Sequence, residues 1–146
     1  IARTDAAHRE LSRQFHDREV FKTYIAVVGG VINEDSGHID IPIRKDFDKP
    51  PRQCVDFEQG KPSQTDWVVV ERLQDSTRLE LKPKTGRSHQ LRIHLREIGH
   101  AILGDDLYAS KELQELAPRL MLHAETLSFT HPATKKQLTL TANCPF

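Results

Sequence analysis

Lys82, Lys84, Arg87, His89, Arg92, His94 and Arg96 follow one another with no acid until Glu97. Side chains that are positive, or become so on protonation, do one kind of chemistry best when clustered: they hold anions. A solvated outer face is the plain alternative, because amphipathic helices are commonly charged on the side away from the core. A face evolved only for solubility would mix signs. The single sign here favours a phosphate-rich partner.

Other chemistry-bearing residues are less organised. His89, His94, His100, His123 and His131 lack HExxH spacing and have no cysteine near them, so no metal site is expected. Ser88 and His89 are adjacent on a helix and do not face each other, which sets aside a nucleophile–base pair. Gly104-Asp105-Asp106 reads as a turn rather than a magnesium site, since one acidic pair is a weak metal signal. Cys54 and Cys144 are too few for a disulfide framework and lack neighbours that would activate a thiol; reduced thiols are expected. Tyr24 is either an ordinary strand aromatic or a platform on which a nucleobase stacks.

These side chains need a scaffold. Residues 78–81 read as a strand end, and Lys84-Thr85-Gly86 as a turn. Thr85 or Ser88 is the expected cap of the following helix. Leu91, Leu95 and Ile98 form one apolar stripe on it, and His89, Arg92 and Arg96 a second face roughly 180° away. The cationic face starts at the helix N-terminus, where the dipole already favours anions.

Elsewhere, Thr4 caps an expected helix over residues 5–18. Residues 21–32 read as a strand or bent pair broken at Gly29-Gly30, and residues 38–43 as a short strand with an edge-type Pro42. Residues 44–53 are expected to be a charged loop. Residues 67–73 and 77–82 make a strand pair. Ser110 caps a short helix ending before Pro118, and residues 120–130 and 137–142 form a last hairpin around His131-Pro132-Ala133. Runs of strands with helices between them predict an α+β fold with a mixed, mostly antiparallel sheet.

At 146 residues the chain fits one domain, residues 1–146, and its 37% hydrophobic content suffices for a core. No apolar run approaches a membrane span and the N-terminus lacks a signal-peptide pattern. The two expected reduced thiols fit a cytoplasmic protein, and a monomer is expected. The 21 basic and 21 acidic residues cancel, which argues against indiscriminate nucleic-acid binding but not against a local basic groove.

Several segments together resemble the RluA-type pseudouridine synthases. They are Lys22-Thr23-Tyr24-Ile25-Ala26-Val27-Val28-Gly29, Gly60-Lys61-Pro62-Ser63-Gln64-Thr65, and Leu81 through His94 with its GRxHQLRxH core. Ile102-Leu103-Gly104-Asp105 with Tyr108, and Arg119-Leu120-Met121-Leu122-His123-Ala124, continue the likeness in order over nearly the whole chain. Within the family it looks most like the dual-specificity members that modify 23S rRNA and the tRNA anticodon stem-loop.

The resemblance implies an α+β catalytic fold with an RNA-binding cleft, isomerisation of uridine to pseudouridine in structured RNA, and no cofactor or metal. It makes Tyr24 the tyrosine that stacks on the uracil and a candidate for proton transfer. It makes Arg92 the arginine that pairs with the catalytic aspartate, whose ionised form a guanidinium favours. Leu120 or Leu122 would line the base slot, with Lys82, Lys84, Arg87, His89 and Arg96 as further substrate contacts. The family nucleophile is the Asp of an HRLD motif followed by Thr-Ser-Gly, and no such motif occurs here. It is expected upstream of Ile1, leaving the chain catalytically incompetent alone. The alternatives are a non-catalytic RNA-binding module and, more remotely, a small-molecule enzyme using the histidine-rich segment.

Overall fold

The computed structural model describes residues 21–130 and 137–146. The expected helix over residues 5–18 and the turn at residues 131–133 lie outside these. The main sheet holds β1 (Phe21–Gly29), β2 (Ser36–Asp40), β5 (Gln64–Arg72), β6 (Ser76–Pro83), β7 (Leu122–Thr130) and β8 (Gln137–Thr141) in the order β2-β5-β6-β1-β7-β8. Every described pairing in it is antiparallel. A second, two-stranded sheet pairs β3 (Ile43–Lys45) with β4 (Gln53–Val55). Two helices follow β6, α1 (Gln90–Glu97) and α2 (Lys111–Glu115).

Strand alternation sets the core. Tyr24 pairs with Leu81 and Ala26 with Leu79 across β1 and β6, and Trp67 pairs with Leu81 across β5 and β6. Ala26, Leu79, Leu81 and Trp67 are buried and meet Leu91 and Leu95 of α1 in one cluster, with Ile98 packed against it. The apolar stripe read from the sequence therefore faces the sheet. Ile93 is also buried, in a smaller cluster with Ile43 and Tyr108 against which Leu107 and Val55 pack.

Three sequence readings need correction. Residues 44–53 are not a plain loop, because Arg44 and Lys45 belong to β3 and Gln53 to β4. The strand read over residues 38–43 breaks instead, with β2 ending at Asp40 and Ile43 starting the small sheet beyond Pro42. Neither Thr85 nor Ser88 caps α1: the N-cap is His89, with φ 55° and no side-chain capping bond. The Thr85 hydroxyl is used otherwise, accepting from the Gln64 amide and donating to Gln90 Oε1. The Ser110 cap is present and accepts from the Leu113 amide at 3.3 Å.

Candidate active site

A cleft of about 230 Å³ opens where β1, the β6–α1 link, α1 and β7 meet. Tyr24, Arg87, His89, Arg92 and Leu122 line it together with Lys22, Gly86 and Gln90. Tyr24 arrives on β1 at a register shift in the β1–β7 ladder. Thr23 pairs with Thr126 and Tyr24 with Ala124, so Glu125 is an extra residue on β7. Such a bulge bends the strand and re-aims its side chains. The carbonyl freed at Glu125 accepts from the Ala142 amide at 2.8 Å. Ala26 pairs with Leu122, which puts Leu122 diagonal to Tyr24 on the same sheet face. Burial pushes the Tyr24 phenol up from its ordinary range.

Arg92 forms the polar wall. Its Nε donates to Asp105 Oδ2 at 3.0 Å and its Nη2 to Asp105 Oδ1 at 2.6 Å, a two-pronged pair. Asp105 is fully buried and also accepts from the Leu107 and Tyr108 amides, both at 3.0 Å. Burial alone would raise its pKa. The Arg92 hydrogen bonds, the two amides and the Arg92 charge together overcome that and hold it below the usual carboxylate range. Gly104-Asp105-Asp106 is thus a turn that seats a guanidinium. Gly104 has φ 77°, and a Cβ there would collide with the Arg119 carbonyl oxygen.

The other arginine of that helix face is not free either. Arg96 binds Glu97 at 2.7 Å, and both Arg92 and Arg96 lie over the Tyr108 ring, 5.2 and 5.3 Å from its centroid. The expected cationic face is therefore a set of arginines satisfied within the protein. Arg87, whose Nε donates to the Pro62 carbonyl, remains at the cleft mouth.

The remaining expected contacts lie elsewhere. Lys82 alternates with Leu81 and so sits on the opposite sheet face, pairing with Glu80 at 3.5 Å. Lys84 pairs with Asp66, also at 3.5 Å. Leu120 packs against the core rather than lining the cleft. His94, read from the sequence as part of the basic cluster, is fully buried.

Sequence reasoning missed the pins beneath the site. Gln90 is buried, and its amide fills four positions. Nε2 donates to Gln64 O and Thr65 Oγ1, while Oε1 accepts from Thr85 Oγ1 and the Arg87 amide. Because Thr65 Oγ1 accepts from Gln90, its own proton goes to His94 Nδ1 at 2.8 Å. His94 Nε2–H then donates to the Ile41 carbonyl at 2.9 Å. Burial holds the His94 pKa below its ordinary value, and the ring is neutral. Gln, Thr and His at these positions give no periodic signal, since only the fold shows that each has a partner.

His89 stands in the left-handed region, where His is tolerated better than most residues at a cost of roughly 1–2 kcal/mol. Its Nδ1 lies 2.6 Å from the Tyr108 hydroxyl, and that hydroxyl accepts from the Gln53 amide at 2.8 Å. Burial and then the Arg92 charge lower its pKa. Among the described residues no group of His, Cys, Asp and Glu side chains is placed to hold a metal, and no helix is long and apolar enough to cross a membrane.

Beside the six-stranded antiparallel sheet, an aromatic side chain and an arginine thus line one cleft. The family model for RNA pseudouridylate synthases matches residues 1–97. The chain is 50% identical over 147 aligned positions to the dual-specificity RNA pseudouridine synthase RluA of Escherichia coli K12, covering all of this chain and 67% of that protein. The RluA of Yersinia pestis is 52% identical over 133 positions, covering 90% of this chain and 65% of that protein. The solved human RNA pseudouridylate synthase domain containing 1 superposes with a TM-score of 0.84 at 33% identity, over 99% of this chain and 62% of that one. The chain belongs to the RNA pseudouridylate synthase family. It spans about two thirds of the length of these relatives.

Proposed function

We propose that this chain is the core of a catalytic domain that isomerises uridine to pseudouridine in structured RNA, with 23S rRNA and the tRNA anticodon stem-loop as substrate classes. The observation that carries this is the convergence of Tyr24, Leu122 and Arg92 on one cleft of about 230 Å³. That space is below the roughly 300–1,000 Å³ typical of drug-sized ligands and suits a single flipped-out base. Tyr24 and Leu122 supply stacking and apolar contact, and Arg92 supplies charge.

The reaction breaks the N1–C1′ bond, turns the uracil and joins C5 to C1′. C5 loses a proton and N1 gains one, so no redox partner is needed. The family likeness calls for a carboxylate nucleophile held by Arg92. Among the described residues Asp105 holds Arg92, but it is buried and spent on four hydrogen bonds. No acid of this sequence stands in the HRLD motif that carries the family's nucleophile. Tyr24, a protonated phenol whose pKa burial raises further, acts as a stacking face and a hydroxyl donor rather than as a resting base.

The test uses the full-length gene product and RNA tritiated at uridine C5, where product formation releases tritium to water. Arg92→Lys, which keeps a cation beside Asp105, should lower turnover by about 10²-fold or more while RNA affinity stays within about tenfold. Tyr24→Phe should keep affinity within about threefold and lower turnover. Binding without tritium release by the unmodified protein would favour the non-catalytic RNA-binding module.

A further inference from the structure

Tyr108 is nearly fully buried and does not line the cleft, yet it touches two residues that do. Its ring lies beneath Arg92, and its hydroxyl meets His89 Nδ1 at 2.6 Å. The Gln53 amide donates to the same hydroxyl oxygen at 2.8 Å. An amide N–H has only a proton to give, so the phenol must place its own proton elsewhere. His89 Nδ1 is the acceptor within reach. A nitrogen that accepts carries no hydrogen, and the neutral imidazole then bears its proton on Nε2.

His94, about one turn further along α1, is fixed in the same way. There Thr65 donates to Nδ1, and Nε2–H is delivered to the Ile41 carbonyl. His89 differs in that no acceptor for its Nε2–H is found among the described residues, and its ring borders the cleft.

We propose that Tyr108 is a positioning residue that locks His89 as the Nε2–H tautomer, so that His89 donates a hydrogen bond to an oxygen of the nucleotide in the cleft. The left-handed backbone of His89 fits this role. It interrupts the start of α1 so that the ring lies edge to face with Tyr108, with centroids 5.5 Å apart. Strain of this kind persists where neighbouring contacts over-determine the conformation. The Tyr108 clamp does so here, together with the Ile93 amide, which donates to the His89 carbonyl at 3.0 Å.

The proposal rests on the RNA-binding reading of the cleft, but its first test needs no RNA. Nitrogen-15 spectra of the full-length protein at neutral pH should show His89 as a single Nε2–H tautomer. In Tyr108→Phe, which keeps the ring under Arg92, the His89 signals should move toward a tautomer mixture, while His94 stays unchanged. A His89 tautomer indifferent to Tyr108→Phe overturns the lock.

The second test is a double-mutant cycle on binding of an anticodon-type stem-loop with an unpaired uridine. Tyr108→Phe and His89→Ala should each weaken binding by about 3- to 10-fold, the loss of one hydrogen bond. The double variant should be no weaker than His89→Ala alone. Additive losses would mean that Tyr108 acts independently of His89, and the positioning role fails. If the unmodified protein shows the tautomer but does not bind the stem-loop, the tautomer assignment stands and the delivery of a donor to RNA fails with the functional reading.

Discussion

The charge that gives Arg92 its chemistry is already balanced before any substrate arrives. Asp105 meets it at 2.6 and 3.0 Å, and Asp105 has no exposure of its own. Asp105→Ala would leave a mostly buried guanidinium without its partner, which costs about 3 kcal/mol in comparable pairs. Denaturant unfolding should show that loss, whereas Asp106→Ala, at the exposed end of the same contact, should change stability by under about 0.5 kcal/mol.

His94 gives a pH signature. Its folded pKa is depressed, so the unfolded chain takes up a proton first as pH falls. The stability linked to neutral His94 is present above the unfolded value of about 6.5 and is lost as pH falls below it. The depressed Asp105 pKa has the same sign, but its window opens only near the unfolded carboxylate value of about 3.9. Melting temperature should therefore drop from about pH 6.5 downward, and His94→Gln should flatten much of that slope. His89, also depressed, accounts for a remainder.

Among the elements, the turn after Ile102 tolerates little change. Gly104 has a left-handed φ and a backbone oxygen where a Cβ would go. Gly104→Ala should lose about 2 kcal/mol or more and loosen the Arg92–Asp105 pair, because a carbonyl of the main chain cannot yield as a side chain can. Gly86, where a Cβ would meet nothing within 4 Å, should accept Ala with little change in melting temperature.

Elements also differ in how plainly the sequence discloses them. Strands β1, β5, β6 and the apolar stripe of α1 are readable because alternation and the 3.6-residue period leave marks. Arg87 to His94 is readable as a unit through its charge and its family pattern. The β3–β4 pair is not, since three-residue strands are too short to alternate and Asp46 to Arg52 reads as a polar loop. The direction of Lys82 and Lys84 follows only from the β6 register. The sealing of Arg92, His94 and Gln90 depends on Asp105, Thr65 and Thr85, partners that nothing local announces.

For the chain taken whole, a formal charge of zero and a cleft whose Arg92 is already paired imply modest electrostatic attraction of RNA. Each phosphate contact to a single strand contributes about −0.7 to the slope of log affinity against log salt. Titration of stem-loop binding should give a slope no steeper than about −3. Arg87→Ala should make it shallower by about one contact. Lys82→Ala and Lys84→Ala, on the face away from Tyr24, should leave it within error.

The cleft draws Tyr24 from the first described strand, Arg92 from the middle of the chain and Leu122 from beyond the second helix. The stretch from Pro83 to Arg92 supplies much of its lining but cannot close it without Tyr24 and Leu122. Its walls meet only after β6 has paired with β1 and β1 with β7, and such distant pairings form late when loop closure must precede reward. A chain in which these strands have not paired thus lacks the complete cleft. Whatever binds there selects finished molecules and, by mass action, draws the population toward them.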